Sequence, residues 1–253
     1  MGRRLAPIAL LVGLLLIPAS AQAQSSLLPW PNDTLTKRDR TTDTGRRLEL
    51  PVAAMPRNKD GVPIDPTDMN RADGFSPGSM LIAKVPGLDN PAALQQSNLP
   101  SLSDLTRSLS PHSPVVVFNA RTGKRHPVWA ELDSNATTDA NRMLLIRPAK
   151  NFTEGERYVV VLRDLKDATG GTIKGSYSGK HDFDRELHRA HISRDGHIYR
   201  VWSFTVASER SLAGRALHIR DDAFKSLGDT NLRDLKVAGR SDRPRPVSGS
   251  SRW

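Results

Sequence analysis

Eighteen prolines and eighteen glycines are spread along the 253 residues, and their spacing limits the length of every regular element the chain can form. Proline has no N–H to give to a helix interior or a central strand, and glycine weakens both. Between residues 25 and 73 alone, Pro29, Pro31, Pro51, Pro56, Pro63 and Pro66 exclude long elements, leaving ordered coil around one short strand at 48–52. Downstream, short apolar runs alternate with turn signals: strands are expected at 80–85, 115–118, 128–132, 144–147, 158–163 and 198–206. A chain punctuated in this way is expected to be mainly β, an antiparallel sandwich with a few short helices.

The strongest local signal is Val115-Val116-Val117-Phe118, then Asn119-Ala120-Arg121-Thr122-Gly123-Lys124, then Val128-Trp129-Ala130-Glu131-Leu132. Turn residues between two β-branched and aromatic runs predict a hairpin. Helices are expected at 101–109, with Ser101 as cap, at 182–190, and from Ser208 to Leu227. On the last of these, Leu212, Ala216, Leu217, Phe224 and Leu227 recur at helical spacing, and this apolar stripe is expected to be poorly covered.

Residues 1–23 have the parts of a secretory leader: Arg3-Arg4, an apolar run, and Ala21-Gln22-Ala23 as a small-residue cleavage site. The expected product is secreted, periplasmic or extracellular, after cleavage near Ala23. No later stretch approaches the roughly 20 apolar residues a membrane helix needs. There is no cysteine, so stability must come from packing without disulfides or thiolate metal sites. The net charge of +10 falls to +8 without Arg3 and Arg4, and the 231–253 segment carries much of the remainder on Arg233, Lys236, Arg240, Arg243, Arg245 and Arg252. That basic segment, poor in apolar residues, is expected to be disordered, leaving 24–230 as one β-rich domain with a long N-terminal coil. No basic stripe with interleaved aromatics is present, which argues against nucleic acid as a partner.

The one match to a serine-hydrolase nucleophile pattern is Gly74-Phe75-Ser76-Pro77-Gly78. A nucleophile elbow uses the backbone N–H of the residue after its serine as an oxyanion donor, and Pro77 has none. Ser76 is therefore the candidate nucleophile by pattern, yet the segment reads as a loop. Four of the seven histidines cluster at His181, His188, His191 and His197, and of these His188 and His191 are one helical turn apart, the spacing two metal ligands would need. Their alternative role is as solvated surface side chains. Asp65, Asp68 and Asp73 lie in an oxygen-rich stretch that could hold calcium, although the EF-hand order fails there; the alternative is side chains that bond their own turns. No phosphate-binding glycine loop occurs, and no cofactor is expected. Trp30, Trp129, Tyr199 and Trp202 are the aromatics that could form a binding platform for an envelope component or a partner protein; their alternative place is the core.

Several stretches resemble the N-terminal region of a family of exported bacterial α/β-hydrolases, the virulence-factor or extracellular lipases. They are Leu28-Pro29-Trp30-Pro31-Asn32-Asp33, the run from Arg71 to Ser79, Pro127-Val128-Trp129-Ala130-Glu131-Leu132, Arg147-Pro148 with Tyr158-Val159-Val160-Val161-Leu162, and Trp202-Ser203-Phe204-Thr205-Val206-Ala207-Ser208. The resemblance implies an immunoglobulin-like β module, with the family's serine nucleophile in a separate hydrolase domain downstream that has no counterpart here. It therefore implies a non-catalytic accessory module of a lipase- or esterase-like protein, as a truncated product or a stand-alone module, whose partner is a hydrolase domain. The competing expectations are a small exported serine hydrolase using Gly74 to Gly78, or an envelope- or partner-binding β module.

Overall fold

A computed structural model describes residues 27–175, 177, 181–193 and 197–227. The leader and the basic tail expected from the sequence lie outside the described residues. Eight strands are described: β1 (Thr36–Arg38), β2 (Arg46–Leu48), β3 (Leu81–Ala83), β4 (Val115–Asn119), β5 (Val128–Leu132), β6 (Leu144–Pro148), β7 (Arg157–Arg163) and β8 (Ile198–Thr205). They form three antiparallel sheets, β1-β2, β3-β6-β5 and β4-β7-β8. Three α-helices are found among the described residues: α1 (Pro91–Gln96), α2 (Asp184–Arg189) and α3 (Glu209–Leu227). The chain divides into two compact units after Leu212. The first holds all the strands, and the described part of the second is the remainder of α3.

The main core is built by the two three-stranded sheets together with coil residues. From one sheet come Leu81, Ala83, Val128, Ala130, Leu144 and Ile146, and from the other Val115, Val117, Tyr158, Val160, Trp202 and Phe204. The fold is therefore β-sandwich-like. Its two sheets read differently in sequence because they are covered differently. In β5 and β6 buried and partly exposed residues alternate at the start of each strand, the pattern of a half-buried sheet. In β4 and β7 they do not: Val116, Phe118, Val159 and Val161 face a second cluster with Leu187, Ala190 and Ile192 from α2 and its C-terminal end. A strand covered on both faces is apolar without alternation.

The expected hairpin between β4 and β5 is corrected by the structure. The turn itself forms: Asn119 N–H donates to Lys124 O at 3.0 Å, and the Asn119 side chain accepts the N–H groups of Arg121 and Thr122. Pairing then ends after His126 N–H reaches Val117 O at 2.7 Å. Pro127 has no N–H to continue the ladder, and β5 joins the other sheet beside β6, while β4 pairs with β7 through Val115↔Leu162 to Asn119↔Tyr158. Burial explains the choice: β4 needs cover on both faces, whereas β5 carries Glu131 and half-exposed Trp129 on one side.

Two local expectations also change, and one helix is added. The strand expected at 48–52 is instead Arg46–Leu48, because the Asn70 side chain takes both backbone groups of Leu50, accepting its N–H at 2.8 Å and donating to its O at 3.1 Å. The helix expected at 101–109 is a 3-10 turn, Leu105–Leu109, capped by Asp104; Ser101 bonds Ser103 instead. Helix α1 was not foreseen, although Asn90 accepts the Ala93 N–H and Pro91 opens the first turn, both ordinary start signals.

Candidate functional site

The Gly74–Gly78 motif folds as an anchored turn. Phe75 forms a parallel bridge to Val206, with its N–H on Thr205 O at 2.9 Å and its O taking the Ala207 N–H at 2.8 Å. Its ring is buried against Trp30, edge to face at 5.1 Å. This pairing brings the two backbones so close that a Cβ on Gly74 would lie 2.5 Å from Ala207 N, so the first glycine of the motif is required by packing. Ser76 is exposed; its O accepts the Ser79 N–H at 3.0 Å and its Oγ accepts the Gly78 N–H at 3.3 Å. Pro77 O takes the Phe152 N–H at 2.8 Å. No histidine or carboxylate is hydrogen-bonded to Ser76 Oγ among the described residues, so nothing there prepares the hydroxyl for attack.

Asp65, Asp68 and Asp73 have three separate occupations. Asp65 accepts the Thr67 N–H at 2.9 Å and hydroxyl at 2.6 Å, and the hydroxyl bond, followed by the backbone one, holds its carboxyl below the usual range. Asp68 is exposed and pairs with Arg71 at 3.3 Å. Asp73 is buried at the start of α3, where Oδ1 accepts the Ser208 N–H at 2.9 Å and Oδ2 the Ser208 hydroxyl at 2.7 Å. Ser208 Oγ in turn accepts the Ser211 N–H at 3.2 Å, so serine caps the helix and aspartate holds the serine.

His188 and His191 meet at the end of α2, and the reason is backbone geometry. His191 has φ 54°, its N–H donates to His188 O at 3.1 Å, and the Ile192 N–H reaches Leu187 O at 2.9 Å. This is a Schellman termination, completed by contact between buried Leu187 and Ile192. Both histidine side chains are exposed. No group of three or more His, Asp or Glu residues suited to a metal ion occurs among the described residues.

Of the four platform aromatics, two belong to the core. Trp202 is 3% exposed and donates Nε1–H to Pro31 O at 3.0 Å, and Tyr199 is buried. Trp30 is half-buried on Phe75, and Trp129 is half-buried with the Arg147 guanidinium 5.4 Å from its ring centre.

One polar cavity of about 240 Å³ opens beside the N-terminus of α3, lined by Arg47, Arg71, Asp73, Ser208 and Arg210 among others. Each guanidinium has its own carboxylate: Arg47 with Asp39 at 2.5 Å, Arg71 with Asp68, and Arg210 with Asp43 at 2.6 Å. The Thr41 hydroxyl and then Arg47 hold the Asp39 carboxyl far below the usual range. The cavity therefore has no unbalanced positive charge for an anion, and Asp73 already occupies the helix N-terminus.

His126, which no motif singled out, is buried. Its Nε2 lies 2.9 Å from Lys150 O, and its ring packs on Phe152 at 4.3 Å and Tyr158 at 5.5 Å. Burial pushes its pKa down, against the opposing effect of the bond to Lys150 O. No helix among the described residues is long and apolar enough to cross a membrane. No protein-family model, no curated protein and no solved structure matches this chain.

Proposed function

We propose that this protein is a non-catalytic, immunoglobulin-like β module of the exported lipase- and esterase-like kind, delivered across a membrane by the 1–23 leader. The observation that carries the non-catalytic part is the bonding of the Gly74–Gly78 segment: glycine packs against Ala207, phenylalanine bridges to Val206, and the serine turns the chain with no base hydrogen-bonded to it among the described residues. Two facing antiparallel sheets, with a connection at Pro127 that crosses from one to the other, support the immunoglobulin-like reading. The lipase connection rests on the sequence resemblance. The module's partner is a hydrolase domain or an envelope component.

The test is turnover of short-chain p-nitrophenyl esters by the purified chain, beside Ser76→Ala. The expected outcome is no turnover by either protein. Ester hydrolysis that disappears in a Ser76→Ala protein with an unchanged thermal melt would replace this reading by that of a small serine hydrolase; Ser76 is exposed, so its replacement is expected to leave the fold intact.

A further inference from the structure

Helix α3 has 19 residues and none of them is buried. At 100° per residue, Leu212, Ala216, Ile219, Ala223 and Leu227 fall within one narrow seam, with Leu217 and Phe224 beside it; Ile219 is 58% exposed and Leu227 66%. The seam alternates large and small residues, and the alternation is the same read from either end about Ile219. On the flank of the seam opposite Leu217 and Phe224 lie Arg215 and Asp222, neither of which has an ion-pair partner among the described residues. We propose that α3 is a self-recognition element, pairing antiparallel with the α3 of a second copy of this chain about a two-fold axis at Ile219.

Charge decides both the occupant and the direction. In an antiparallel pair the same flank meets itself, so Arg215 faces Asp222 of the second copy, and symmetry makes this bond twice. Arg220 comes near the axis already paired with Asp221 at 2.6 Å. In a parallel pair the Arg215 flank would meet the opposite flank of the other helix, with Arg215 beside Arg220 and no opposite charge to meet it. The remaining polar face holds His218, Asp221 and Lys225, which is too nearly balanced to select an anionic lipid surface. Antiparallel packing puts Leu212 against Leu227, Ala216 against Ala223 and Ile219 against itself, so each large residue meets a large one and each small residue a small one. A helix of this length is about 28 Å long, so a single helix pair is smaller than the ~800 Å² per partner of a standard interface and should exchange in the micromolar range.

Sedimentation velocity on the full chain across the micromolar range tests this. The expected result is a monomer that becomes a dimer with rising concentration, lost in Ile219→Glu and shifted at least about tenfold toward monomer in Arg215→Asp, where two ion pairs become repulsions. The double variant Arg215→Asp with Asp222→Arg should restore the dimer. Circular dichroism melting checks that each variant is folded, which exposed positions and glutamate's helix propensity favour. A parent chain that stays monomeric throughout, or a dimer indifferent to Ile219→Glu, would overturn the proposal. Failure of the double variant to restore association would overturn the antiparallel register. Neither result depends on ester hydrolysis.

Discussion

Gly74 and Gly78 bracket the same short motif, yet only one of them is confined by its surroundings. A methyl on Gly74 meets the backbone of Val206 and Ala207, which cannot rotate aside, whereas the nearest atom to a Cβ on Gly78 is the Asn151 side chain at 3.6 Å. Gly74→Ala should cost about 1–3 kcal/mol as an overpacking change, and Gly78→Ala almost nothing, as read by urea denaturation; equal effects would refute the packing account of the motif. His191 is the opposite case, a bulky residue at φ 54° where glycine is at ease. His191→Gly should raise stability by about 0.5–1 kcal/mol, and a loss instead would mean the side chain has a task of its own. At His126 the folded chain holds the imidazole neutral below its ordinary pKa, so the unfolded chain takes up a proton first as pH falls. Stability contributed by this site is complete above about pH 6.5 and declines below it until the folded-state pKa is reached. Thermal melts from neutral to acid pH should show this slope, and His126→Gln, which can still donate to Lys150 O, should flatten it.

At the scale of single elements, caps and covers matter more than propensity. The start of α3 is held by a relay in which Asp73 fixes Ser208 and Ser208 takes the Ser211 N–H. Ser208→Ala should cost about 1 kcal/mol, and Asp73→Ala more, since it strands the buried Ser208 N–H; amide exchange in the first turn of α3 would report both. The same relay separates the oxygen-rich stretch into its parts: Asp73, one of its three candidate cation ligands, is spent on a helix. Helix α2 owes its place to the second face of β4 and β7, where Leu187 is buried in one cluster with Val116, Phe118, Val159 and Val161. The Ser208 cap and the start of α3 were legible in the sequence, because caps are local. The side of the sheet on which α2 sits was not, because a short polar helix can lie against any apolar surface.

For the whole molecule, an aromatic group lies in the core that the two three-stranded sheets share: Phe152, buried there, has the ring centres of His126, Tyr158 and Phe204 at 4.3, 4.8 and 5.1 Å. Phe152→Ala should destabilise the sandwich by about 3–5 kcal/mol, seen as one cooperative shift of the thermal transition; two separate transitions would show that the sheets do not share a core. Strand positions after residue 80 could be read from the chain because β-branched runs between proline and glycine breaks are local signals, and so could the loss of the Pro77 N–H, which is covalent. What only the tertiary structure decided was pairing and occupation. The choice of β7 over β5 as the partner of β4 depends on which strand must be covered on both faces, and the reason for Gly74 lies in Ala207, more than a hundred residues away. Asp73 and Trp202 look in sequence like groups free to bind, and His126 was singled out by no motif; burial and hydrogen bonds, which depend on residues distant along the chain, commit all three to holding the fold.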